Sequence, residues 1–176
     1  PDTQWRRMTQ AVLGIAERLD SAMLLTGSGV PMAVPHTRPT LVTSHSTDPA
    51  RATGNPLWID RIQIPGSFSA ALEYRGGHAG ITGMGFVAHV PHYLAQSTFP
   101  QATAAVLRRM NEAAGLSIPL GELDDEAEQQ LVTIQAEVQE DSEFPAVLAA
   151  LESSTTSSPT LVELQCPPPT RSEPPW

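Results

Sequence analysis

The tripeptide Val-Pro-His occurs twice, at Val34-Pro35-His36 and at Val90-Pro91-His92, and Arg38 follows the first copy by two residues. All five histidines, His36, His45, His78, His89 and His92, fall in this one stretch of the chain. Gathered imidazoles could ligate a metal, act as bases beside a nucleophile, or donate to an anionic ligand. Metal ligation fails on spacing. His89 and His92 are the close pair, and on a strand side chains three apart point to opposite faces. Pro91 between them disfavours the helix on which that spacing would converge.

Nucleophilic chemistry fails on context. Ser28, Ser44 and Ser67 could each be paired with His36, His45 or His92. None sits in the glycine-flanked strand-to-helix turn of a nucleophile elbow, and Ser67 reads better as a helix cap. Gly27-Ser28-Gly29 and Gly83-Met84-Gly85 look like pieces of a phosphate cradle. A cradle needs a helix N-terminus directly behind its glycines. Prolines Pro31 and Pro35 follow the first pair, and a strand follows the second. The sequence assigns no catalytic set, no metal and no cofactor.

The proline-rich loop Val30 to Pro39 is the better candidate. It follows an apolar run that reads as a central strand, and open α/β sheets place ligands beyond such strand ends. His36 and Arg38 are both donors and could grip a carboxylate or phosphate. Arg38 could equally bridge a backbone carbonyl or an acidic side chain. The candidate contacts to a ligand or partner are His36, Arg38, His89, His92 and Tyr93.

Several elements must position these residues. Trp5, Met8, Val12, Ile15 and Leu19 recur at helical spacing and predict a helix over 4–19 with that row facing inward. Ala22 to Thr26 reads as a strand buried on both faces that stops at Gly27-Ser28-Gly29. Strands are expected over 40–45, 61–64 and 84–90. A helix capped by Ser67 should run to about Tyr74 on an inner face of Phe68, Ala71 and Leu72, broken by Gly76-Gly77. Another should span 101–114, closed by Gly115. The alternation predicts an α/β layered domain with part of its sheet parallel.

Beyond residue 118 the pattern changes. Leu123, Ala127, Leu131, Ile134 and Val138 fall on one helical face, with acidic residues on the other. A second helix from Ser142 carries Phe144, Val147, Leu148 and Leu151. The expected organisation is an α/β/α part over 1–118, an acidic helical hairpin over 119–152 and a disordered Ser/Thr/Pro-rich tail over 153–176.

Charge narrows the partners. The formal net charge is −9 and all ten basic residues are arginine, so clustered cations for nucleic acid are missing. The single cysteine, Cys166, excludes an internal disulfide. No apolar run approaches the ~20 residues that span a bilayer. The expected compartment is the cytoplasm.

Gly29 to Pro39 (GVPMAVPHTRP), the Ile64-Pro65-Gly66-Ser67 turn, Gly85 to Gln96 (GFVAHVPHYLAQ) and the helix after it resemble the proteasome assembly chaperone family, second type, in its branch from high-GC Gram-positive bacteria. The resemblance covers about residues 1 to 152 and extends to the acidic helix pair. It implies a three-layer α/β/α fold similar to nucleoside phosphorylases with a helical appendage, of which this chain resembles the C-terminal part. It implies a non-enzymatic interaction or assembly-chaperone role, with a protein partner and self-association. The rival expectations are a nucleosidase- or phosphorylase-type enzyme using the His36/Arg38 loop, or the ATP-dependent carboxylate–amine ligase of old family labels. The absence of lysine and of a glycine loop in context speaks against the ligase.

Overall fold

The fold is that of a computed structural model, which describes residues 4–53, 55, 66–140 and 144–156. Its elements run α1 (Trp5–Arg18), β1 (Met23–Met32), β2 (Val42–Ser46), α2 (Phe68–His78), β3 (Thr82–Pro91), α3 (Pro100–Ala114), α4 (Gly121–Glu140) and α5 (Phe144–Thr156). The strand expected over 61–64 and the start of α5 expected at Ser142 lie outside the described residues, as does the chain after 156.

The described sheet has the order β1-β3-β2. β1 pairs with β3 in parallel, from Met23 opposite Thr82 to Met32 opposite Pro91. β2 pairs with β3 antiparallel, from Val42 opposite Ala88 to Ser46 opposite Met84. The expected mixed α/β architecture is therefore found, with β3 rather than β1 at the centre. β1 also runs on through Gly27-Ser28-Gly29 instead of stopping there. Ten consecutive registered pairs with β3 outweigh the poor strand propensity of two glycines.

Strand alternation gives the sheet two unlike faces. On one, Met84, Phe86, Ala88 and Val42 are buried in an apolar core with Phe99, Ala102 and Val106, to which Ile134 of α4 also belongs. On the other, Gly83 and Gly85 of β3 face α2. A Cβ on Gly83 would lie 3.0 Å from the Glu73 Cβ, and one on Gly85 would lie 2.2 Å from the His45 ring.

α2 extends past the expected break to His78. Gly76 does not end the helix; it is a buried helical position whose added Cβ would meet Leu24 at 2.8 Å. Close approach of α2 to β1 is what the glycine permits. The inner face is Leu72, Glu73 and Gly76, so an acidic residue stands where an apolar one was expected. Ser67 caps α2, its Oγ accepting from the Ala70 N–H at 3.1 Å. Gly115 ends α3 in the left-handed region with φ 64°.

α1 turns differently from expectation. Its buried residues are Thr9 and Ala16, while Met8, Ile15 and Leu19 are exposed by 54%, 57% and 73%. Leu13 rather than the predicted row reaches Gly76 of α2. Small residues at the contact let the two helices lie close, which periodicity of large apolar residues alone does not reveal.

α4 packs along α3. Arg108 pairs with Asp124, the Gln101 Nε2 donates to the Ala127 carbonyl at 2.6 Å, and Ala127 and Ile134 are buried. The Asn111 side chain fixes the connection between the helices, donating to the Ile118 carbonyl and accepting from the Ile118 N–H, each at 3.0 Å.

Candidate functional site

The loop after β1 and the end of β3 meet at one end of the sheet. Parallel pairing sets this geometry, because it brings both strand C-termini, and so both Val-Pro-His copies, to the same edge. His36 is only 5% exposed. Its backbone N–H donates to the Tyr93 hydroxyl at 2.9 Å, and its Nδ1 lies 2.9 Å from that same oxygen. One hydroxyl oxygen thus serves both the backbone and the ring of His36. That Nε2 is buried and has no hydrogen-bond partner among the described residues. Burial lowers the His36 pKa, opposed by the carboxylate of Glu152.

Tyr93 stands on a single turn of 3-10 helix, His92–Leu94, directly after β3. Burial raises its pKa. Its ring meets His36 edge-on with centroids 5.9 Å apart, His92 at 5.3 Å and Phe144 of α5 at 4.8 Å. Thr37 donates to Glu152 of α5. Tyr93 therefore clamps the loop, the end of β3 and α5 together.

The five candidates divide. His36, His92 and Tyr93 form one aromatic and hydrogen-bonded group. Arg38 and His89 instead line a cavity of about 320 Å³, with Val34, Leu41, Pro91 and Phe99 among its walls. His89 is 1% exposed and its Nε2 lies 3.4 Å from the Thr43 hydroxyl. Burial lowers its pKa, so it is neutral near pH 7. Arg38 is exposed and has no ion-pair partner among the described residues. Among the described residues no group of three His, Cys, Asp or Glu side chains is placed to hold a metal.

A second polar constellation escaped the sequence reading. Glu73 is 5% exposed beneath β3. It accepts from the Thr26 hydroxyl of β1 and lies 2.7 Å from the Nε2 of His45 on β2. Burial alone would raise the Glu73 pKa; the hydrogen bonds from His45 and Thr26 outweigh it and hold the carboxyl below its usual value. The same bond raises His45 against its own desolvation. Gly83-Met84-Gly85 is the sequence signal for this group. Glycines inside a strand mark a close approach, here of side chains rather than of phosphate.

The sequence profile of the PAC2 family matches residues 1–139. The chain belongs to the PAC2 family. It is 40% identical to the Mycobacterium tuberculosis protein Rv2714, of unknown function, with a TM-score of 0.83 over 89% of this chain and 53% of that one. It is 28% identical to the Mycobacterium tuberculosis proteasome-assembly chaperone homologue Rv2125, with a TM-score of 0.72 over 82% of this chain and 61% of that one. The archaeal proteasome-assembly chaperone homologue PbaA of Pyrococcus furiosus, at 16% identity, shares the fold, with a TM-score of 0.59 over 80% of this chain and 64% of that one. The PAC2 chain thus spans about half the length of Rv2714. No curated protein matches it. Among the described residues no helix is long and apolar enough to cross a membrane.

Proposed function

We propose that this PAC2 protein is a protein-binding, assembly-chaperone-like module that works without chemistry of its own, in the cytoplasm, with proteasome subunits as partners and with itself. The observation that supports this reading is its likeness to a proteasome-assembly chaperone homologue at 28% identity across most of the chain. The geometry is compatible. Tyr93 and His36 are engaged with each other, with α5 and with the β3 end. Such engagement stiffens a loop edge of the kind that recognises another protein. The family and the chaperone homologue that the chain resembles lend no support to a nucleosidase, phosphorylase or ligase reading.

The test is assembly in vitro. The purified chain, mixed at roughly 10 μM with the proteasome α and β subunits of its own organism, should co-elute with one of them and change the rate of ring formation. Light scattering on the chain alone should give more than a monomer mass. Neither co-elution nor any change in assembly rate, with correctly folded protein, overturns the reading.

A further inference from the structure

The cavity between the loop and the β3 end has the build of a small-molecule site. Its volume of about 320 Å³ lies at the small end of the ~300–1,000 Å³ range of ligand pockets. Its walls are mostly apolar: Val34, Leu41, Pro91 and Phe99, with the His89 ring beside them. Apart from Arg38, none of the lining residues carries a fixed charge, and His89 is kept neutral by burial. Arg38 itself is exposed.

This distribution specifies a ligand. Apolar walls favour a compact hydrocarbon body, because removing it from water is the main source of affinity in such a pocket. A single guanidinium offers two parallel N–H donors that fit one planar carboxylate in a bidentate pair. A phosphate dianion would carry more charge than one arginine offsets. A sugar would leave hydroxyls against apolar walls without partners. A neutral apolar molecule would leave the arginine unused. Arg38 is also the arginine least committed elsewhere at this edge: Arg108 is paired with Asp124, and Arg109 is held by Glu112 and the Thr53 carbonyl.

We propose that the cavity lined by Arg38, His89 and Phe99 binds a small organic monocarboxylate, its apolar body between Phe99, Leu41 and Pro91 and its carboxylate on the Arg38 guanidinium. The segment Arg38 to Leu41 also walls the neighbouring cleft along α3 and α4. An occupied pocket therefore braces a segment shared by two surfaces of the protein. This site is independent of the chaperone reading and stands or falls separately from it.

Benzoate is the probe, with benzyl alcohol as the uncharged control of the same size. Titration calorimetry on the full chain should show saturable benzoate binding. The melting temperature should rise by roughly 5–10 °C at a hundredfold excess over the dissociation constant. Benzyl alcohol should bind at least about tenfold more weakly, since it cannot form the charged pair. Arg38→Gln, on an exposed side chain, should fold normally, weaken benzoate about tenfold and leave benzyl alcohol unchanged. Arg38→Lys should restore part of the loss. Absence of benzoate binding at about 10 mM, equal affinity for benzyl alcohol, or benzoate affinity unchanged in Arg38→Gln would each overturn the proposal.

Discussion

The His45 Nε2 lies 2.7 Å from the Glu73 Oε2 directly over Gly85, where an added Cβ would fall 2.2 Å from the imidazole. A helix residue and a residue of an outer strand thus meet across the central strand because that strand has no side chain there. Gly85→Ala should therefore expel His45 toward solvent, its ring being half exposed already. Glu73, 5% exposed, would keep Thr26 as a partner and lose the imidazole. The expected cost is about 1–3 kcal/mol in denaturant unfolding. Unchanged stability together with an unchanged NMR titration of His45 would show that the pair does not depend on Gly85.

The same pair sets a pH dependence. The folded-state pKa of His45 is raised, so its contribution is fully present below the unfolded value of ~6.5 and is lost as pH rises through the folded pKa. Glu73 is depressed, so its contribution is present above the unfolded carboxylate range and is lost as pH falls through the folded pKa. The ionic pair is therefore strongest in mildly acidic solution. His45→Gln should destabilise more at pH 5.5 than at pH 8.5. His36 and His89, both lowered by burial, act oppositely and cost stability as pH falls below ~6.5. Acidification should thus weaken His45→Gln more steeply than the parent protein. Parallel stability–pH curves would refute the assignment.

What could be read from the sequence follows the range of the interaction. The Ser67 cap and the Gly115 terminator were legible because a cap is decided within one turn. The parallel pairing came from the alternation of elements. The inward face of α1 was misread, since Thr9 and Ala16 are buried and Leu13 reaches α2, while Met8, Ile15 and Leu19 point outward. The Glu73 constellation needs three strands and a helix in register, 47 residues separating Thr26 from Glu73. No local pattern carries that. At the candidate site, the doubled Val-Pro-His falls at one edge of the sheet, yet the split of Arg38 and His89 from His36 and Tyr93 depends on how the loop folds back.

Tyr93→Phe removes one oxygen that serves both the backbone N–H and the Nδ1 of His36. Phenylalanine keeps the edge-on contacts with His92 and Phe144, so the effect isolates the hydroxyl. A buried N–H left without an acceptor costs about 1–3 kcal/mol. The loss should appear in denaturant unfolding and as faster hydrogen exchange of the His36 amide. Exchange unchanged from the parent would mean that Tyr93 does not hold the loop.

Ile134 tests whether α4 belongs to the core of this protein or merely lies against it. The side chain is 4% exposed and joins the cluster of Phe86, Phe99, Ala102 and Val106. Two residues earlier, Val132 is 70% exposed. The two are β-branched aliphatics that differ by one methylene, so their contrast reports chiefly burial. Ile134→Ala should cost about 2–5 kcal/mol, combining lost transfer energy with a partly unfilled cavity. Val132→Ala should stay within about 0.5 kcal/mol, and Glu137→Arg, on an exposed position, within about 1 kcal/mol. If α4 is integral, Ile134→Ala shifts one cooperative unfolding transition without splitting it. If α4 is a loosely held appendage, the same substitution leaves the main transition in place and only speeds proteolysis between 121 and 140. The second result would contradict the packing of α4 on α3, because helix and sheet would then unfold separately despite sharing Ile134 in one buried cluster.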